Sequence, residues 1–174
     1  MIPVKVKGKY YQKISETIIS DTKWNKKHWK TIIFNYSKAR YFHDYREIFE
    51  ALYQNLNDTY LSQINYCFIT GICKLLGIKT KISWSMDFNL VEEKTERLVD
   101  LCKQTNATEY ISGPAAKAYM DEELFKKEKI KLTYMDYSGY PEYQQIHPPF
   151  DHYVSILDLI FNEGPNASKY MRSF

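Results

Sequence analysis

Cysteine is scarce in this chain of 174 residues: there are three, at Cys67, Cys73 and Cys102, and no two are spaced as CxxC. That odd number argues against a disulfide framework, and because all three fall inside apolar helical patterns they read as reduced, buried structural thiols. The four histidines form no HxxxH pair, so no metal site is expected. Glycine is sparse too, with six residues and neither a GxGxxG nor a GxxxxGK loop; no phosphate cradle of those kinds exists and no cofactor is expected. No apolar run reaches the roughly 18 residues that a membrane helix needs. The first residues, Met1-Ile2-Pro3-Val4-Lys5, carry no signal-peptide core, so the expected location is cytoplasmic, without an integral membrane segment.

Aromatic residues are abundant, with sixteen Tyr and nine Phe, which suits stacking on a sugar or base and equally suits a core. The hydrophobic fraction of 44% and charged fraction of 26% are those of a soluble globular protein, and the length fits one domain over 1–174. Net charge is +3, but residues 1–40 carry +8 and the remainder −5. Such asymmetry marks either an anionic partner or a solvated basic face. Lysines 23, 26, 27 and 30 share one side of a helix, yet no exposed aromatics or glycine loop interleave with them, so nucleic acid is not expected as a partner.

Along the chain, Ile2 to Val6 alternates with period two and Gln12 to Ile19 reads as a second strand. Asp21 or Thr22 is placed to cap a helix with Trp24, His28, Ile32 and Asn35 on one face. His28 there is either a boundary histidine or a site residue. A second helix runs from Tyr45 to about Gln54, and a third from Thr59 to Leu76 is apolar round much of its circumference, predicting burial, with Gly77 as its left-handed stop. Lys79 to Ser85 reads as a strand, Glu92 to Lys103 as a helix and Glu109 to Ser112 as a short strand. Asp121 is placed to cap a helix over Glu122 to Lys127, Ile130 to Tyr137 reads as a strand, and Val154 to Asn162 as a closing helix stopped by Gly164-Pro165. The alternation predicts an α/β fold: a single three-layer domain with a mixed, largely parallel sheet and helices packed on it.

Two places carry candidate chemistry. One is the junction Tyr110-Ile111-Ser112-Gly113-Pro114, a strand, a turn and a helix start, where backbone N–H groups are free to meet a ligand. A nucleophile elbow requires glycines on both sides of the serine, and Ile111 occupies one of those positions. Ser112 is better read as the helix cap, Gly113 as the supplier of an unusual dihedral and Pro114 as the first helical residue. Lys117, one turn inside, reads as a surface lysine or as the partner of a phosphate or carboxylate. The other place is the long connection 138–153, rich in Pro, Tyr and His, a length that compact domains commonly reserve for function. Within it His147 is the candidate general base, against the plain alternative of a histidine packed among prolines and tyrosines. Asp158, between Leu157 and Leu159, either bonds a donor in the core or reaches the site.

Four segments occur in collinear order: Lys94-Thr95-x-Arg97-Leu98, Tyr110-Ile111-Ser112-Gly113-Pro114, Tyr143-x-x-x-His147, and Ser155-Ile156-Leu157-Asp158-Leu159-Ile160-Phe161-Asn162-x-Gly164-Pro165. Together they resemble the WbqC-like protein family, from about Ile2 to Pro165. The resemblance implies a place among bacterial genes for O-antigen and other surface polysaccharides, and acyl or aminoacyl transfer to an amino-sugar intermediate as the suggested chemistry. It brings no catalytic residues with it. Members of that family usually begin with a His-Gln-Pro motif followed by Pro-Trp-Leu-Gly, and this chain starts at what reads as the following strand; apolar surface left uncovered is the expected consequence.

Two readings from different classes follow. The first is an N-acyl or aminoacyl transferase, with His147 catalytic and Ser112, Gly113, Lys117, Tyr143 and His28 binding a sugar or nucleotide-sugar substrate opposite an acyl-carrier donor. The second is a non-catalytic sugar- or nucleotide-sugar-binding or assembly protein of the same pathway.

Overall fold

The computed structural model describes residues 1–171. The chain divides into two compact units, one made of Met1–Lys79 together with the residues from Tyr140 on, the other of Thr80–Gly139.

The first unit is helical. Its elements are α1 (Trp24–Tyr36), α2 (Phe42–Gln54), α3 (Leu61–Leu75) and, from the far end of the chain, α6 (Ile156–Glu163). Helix α6 is apolar on nearly every side, and a helix of that composition is stable only when surrounded. Its Phe161 ring lies 5.1 Å from Phe42, 5.2 Å from Phe49 and 5.4 Å from Tyr36, so α1 and α2 close over it. The Tyr41 amide donates to the Phe161 carbonyl at 2.9 Å, tying the start of α2 to α6 through the backbone. Trp29 stacks between Phe42 and Tyr53 and is buried, whereas Asn35, expected on the inner face of α1, is exposed.

Two expectations for this unit are corrected. The strands over 2–6 and 12–19 reduce to isolated antiparallel bridges, Val4 with Ile19 and Ile18 with Tyr60, and Ile14–Glu16 is a 3-10 turn. Alternation builds a strand only where one face is covered, and Val6, Tyr10, Tyr11 and Ile14 are all exposed. Helix α3 is not wrapped by neighbours either: Ile64 is its one buried residue, and Ile69 is 52% exposed.

The second unit holds a sheet of two parallel strands, β1 (Glu109–Ser112) and β2 (Lys131–Tyr134), with Glu109 opposite Lys131 and Ser112 opposite Tyr134. Parallel neighbours need a crossover, supplied by a 3-10 turn at Pro114–Ala118 and helix α5 (Glu122–Lys127). Asp121 caps α5 as its position predicted, accepting from the Glu123 amide at 3.1 Å. Helix α4 (Lys94–Gln104) contributes Val99 and Cys102 to a core completed by Ala116, Met120, Phe125 and Ile130. The α/β class therefore holds, on a smaller sheet than the pattern suggested. The stretch from Lys79 to Ser85 has no strand partner among the described residues, and Ile82 within it is exposed.

Three helix ends share one closure. Gly77, Asn106 and Lys129 adopt φ of 71°, 55° and 59°, and the next residue donates to the carbonyl five positions back: Ile78 to Cys73, Ala107 to Cys102, Ile130 to Phe125. A Cβ on Gly77 would meet nothing within 4 Å, so Gly77→Ala is expected to cost only the left-handed strain, about 1 kcal/mol in urea unfolding.

Candidate functional site

The sequence of α6 places a carboxylate, Asp158, in its first turn and an amide, Asn162, one turn later on the same side. Asp158 is only 6% exposed, so its charge has to be met inside the protein. Oδ1 accepts from the Tyr143 hydroxyl at 2.7 Å, from Gln145 Nε2 at 3.0 Å and from Asn162 Nδ2 at 3.3 Å. Tyr36 also meets it: burial first, then the charge of Asp158 and a hydrogen bond to it, push the Tyr36 phenol up to about 12. Burial and the Asp158 hydrogen bond raise the Tyr143 phenol as well. Two tyrosines and two amides therefore converge on one buried carboxylate.

Tyr143 and Gln145 belong to the 138–153 loop, so this carboxylate anchors the loop to α6. Gln145 fastens it a second time, donating to the Asp151 carbonyl at 2.9 Å while its Oε1 accepts from the Asp151 amide at 2.8 Å. The segment 145–151 is thus closed into a small ring of chain, with His147, Pro148 and Pro149 exposed on it. His152 packs edge-on against Phe150 at 4.7 Å, Phe150 likewise against Tyr143 at 5.0 Å, and Tyr153 is 97% exposed. His147 itself has no orienting hydrogen bond among the described residues.

Because a raised phenol pKa favours the folded state while the proton is on, stability is fully present below about pH 10, the ordinary tyrosine value. It should then fall as pH rises through about 12, where folded Tyr36 ionises. Urea midpoints measured across that window should drop less in Tyr36→Phe than in the parent.

The remaining expected site residues behave differently. His28 is a boundary residue: its ring stands edge-on to Trp24 at 5.1 Å, and Nε2 lies 3.0 Å from the Met1 carbonyl oxygen. Ser112 and Gly113 need correcting. Ser112 is the buried last residue of β1, paired with Tyr134, and is not the cap. The cap position falls to Gly113, with no side-chain bond, ahead of a 3-10 turn rather than an α-helix. Gly113 has φ −69° and ψ 151°, ordinary extended backbone, so no unusual dihedral is needed there. Its unit holds none of the four histidines that would activate a serine. Lys117 is exposed and sits 5.9 Å above the Tyr134 ring. In the same unit Arg97 donates to the Val91 and Glu92 carbonyls at 2.7 and 2.6 Å, which gives the Lys94-Thr95-x-Arg97-Leu98 segment a loop-holding role.

Residues 1–170, nearly the whole chain, match the WbqC-like protein family. The chain belongs to that family. This WbqC-like chain is also 45% identical over 171 residues to "Uncharacterized protein Rv1507c" of Mycobacterium tuberculosis, spanning 98% of this chain and 74% of that relative. No solved structure matches it. Three of the four segments that carried the resemblance now have structural roles in the WbqC-like chain: Arg97 holds the backbone at Val91 and Glu92, Tyr143 and Asp158 bond to each other, and Gly164 ends α6. Gln145, Tyr36 and Asn162 were not singled out in the sequence; the i, i+4 spacing of Asp158 and Asn162 was the one visible signal. Among the described residues no group of His, Cys, Asp and Glu is arranged to hold a metal, and no helix is long and apolar enough to cross a membrane.

Proposed function

We propose that this WbqC-like protein acts in the building of a bacterial surface polysaccharide, transferring an acyl or aminoacyl group to the amine of an amino sugar. Its family is associated with polysaccharide gene clusters, which supports the pathway. The observation that carries the chemistry is the anchored loop: Asp158 holds Tyr143 and Gln145, and the ring of chain they close presents His147 to solvent. In that reading the sugar amine attacks the acyl carbon, the C–N bond forms and the bond to the carrier breaks. His147 takes the proton from nitrogen and delivers it to the departing carrier atom. Tyr143 and the neighbouring aromatics supply the sugar-facing wall, with His28 of the same unit as a secondary candidate for substrate contact.

A second reading, binding without turnover, is favoured by one feature: among the described residues His147 lacks the third group that normally orients a catalytic base. The two separate cleanly when the protein is incubated with a nucleotide-linked amino sugar and a panel of acyl-carrier and aminoacyl donors, and products are read by mass spectrometry. Transfer predicts an acylated sugar, and a loss of about 100-fold or more in His147→Ala at an unchanged thermal midpoint, since His147 is exposed. Unaltered turnover removes His147 as base, and saturable binding without product establishes the second reading instead.

A further inference from the structure

The seam between α2 and α3 is an open apolar trough in the helical unit. Leu52 makes its floor. A Cβ on Gly71 would stand 2.8 Å from Leu52 Cδ2, so the missing side chain is what lets the two helices approach there. The trough holds a cavity of about 620 Å³, lined besides Leu52 and Gly71 by Ile48 and Ala51 from α2, Cys67 and Leu75 from α3, and Leu56 from their connection. That volume falls within the roughly 300–1,000 Å³ of small-molecule pockets. From Ile48 to Asn55 the trough runs about 10 Å, at 1.5 Å per helical residue.

Its polarity is one-sided. Lys74 is the single charged residue among those lining it, no acid is present, and Asn55 adds an amide. Lys74 is exposed and makes no ion pair among the described residues, so its ammonium is available to a ligand. Long aliphatic walls with one free cation at the lip are complementary to a molecule with an aliphatic tail and one anionic head. We propose that the α2–α3 seam binds a small anionic amphiphile, of which a medium-chain carboxylate is the simplest form. None of its lining residues lies in the 138–153 loop or in α6, so the site stands or falls independently of the transfer reaction.

Decanoate below its micelle concentration is the probe, titrated calorimetrically into the whole protein. Saturable binding is expected, tightening about fourfold per added methylene from octanoate to decanoate, as burial of CH₂ groups predicts. Decyltrimethylammonium should bind at least about tenfold more weakly, and Lys74→Glu should reverse that preference. Ala51 is exposed, so Ala51→Trp should fill the trough and abolish binding with the circular-dichroism melt unchanged. Cys67 lines the trough and Cys73 does not, so decanoate should slow N-ethylmaleimide labelling of Cys67 alone.

Absence of saturable binding, equal affinity for the cationic amphiphile, or equal protection of both cysteines would each overturn the assignment. A concentration-dependent dimer dissolved by Ala51→Trp would also overturn it, giving the seam to a second copy of the chain. Binding to anionic vesicles without binding to decanoate would overturn it in favour of a membrane surface.

Discussion

Asp158→Ala is expected to lower the unfolding free energy by about 3 kcal/mol and to release the 138–153 loop. Three side-chain donors end on Oδ1, from Tyr143, Gln145 and Asn162, and all lie in part-buried or buried surroundings. Deleting the acceptor leaves them without a partner where water has poor access, at about 1–3 kcal/mol for each fully buried group, reduced here by partial exposure of the loop. Asn162 keeps its bond to the Asp158 main-chain carbonyl at 2.9 Å and so loses least. Asp158→Asn retains the shape and one acceptor oxygen but not the charge, and should cost about half as much, because hydrogen bonds to a charged group are roughly twice as strong as neutral ones.

Urea unfolding measures the stability change, and limited proteolysis reports the loop, which should be cut within 138–153 far sooner in Asp158→Ala. The tyrosines provide a separate readout. Removing the negative charge should bring the Tyr36 ionisation down from about 12, since Asp158 is one of the causes that raised it. A loss under about 0.5 kcal/mol, the range of an ordinary surface substitution, would mean that the carboxylate does not anchor the loop.

Gly164→Ala should be as damaging, for a wholly different reason. At φ 51° and ψ −119° the backbone lies in a region that side-chain-bearing residues avoid, at a cost of about 1–3 kcal/mol. A Cβ there would also come within 2.5, 2.7 and 2.9 Å of three Tyr41 ring atoms. Tyr41 cannot easily retreat, because its amide is bonded to the Phe161 carbonyl and its side chain precedes the buried Phe42. Overpacking adds about 1–3 kcal/mol, so a total near 4 kcal/mol is expected in denaturant unfolding. Gly77→Ala is the matched control, carrying a positive φ without the ring. A Gly164→Ala loss no larger than that of Gly77→Ala would show that Tyr41 moves aside.

Both substitutions fall in the segment from Ser155 to Pro165, and the sequence showed only half of what that segment does. Its composition announced a helix ended by Gly164-Pro165, and the helix is there. Nothing in it named Tyr41 as the ring that excludes a side chain at 164, because that contact joins the start of α2 to the end of α6. The same distance in sequence hid the partners of Asp158. A carboxylate between two leucines demands donors, but Tyr143, Gln145 and Tyr36 are brought to it only by the packing of loop and α1 around α6.

Elsewhere the misses share a cause. The reading of Ser112 and Gly113 as cap and strained glycine assumed an α-helix after the strand, and a 3-10 turn of five residues makes no such demand. The strands expected near the N-terminus rested on alternation, a pattern with no force where, as at Val6, Tyr10, Tyr11 and Ile14, the residues stay exposed. Helix α3 was expected to be enclosed because it is apolar on most sides, but burial depends on how much neighbouring surface is present to cover it.

What the sequence determined alone is therefore local: the spans of β1 and α5, the Asp121 cap, the left-handed stop at Gly77 and the family to which the chain belongs. These follow from bonds and dihedrals within a few residues, whose energies hardly depend on the rest of the fold. Only tertiary structure decided that Asp158 would anchor the loop bearing His147, that Gly164 would lie against Tyr41 and that the α2–α3 seam would stay open. Each of these joins residues that are apart in sequence, and a contact of that kind exists only once the chain has folded.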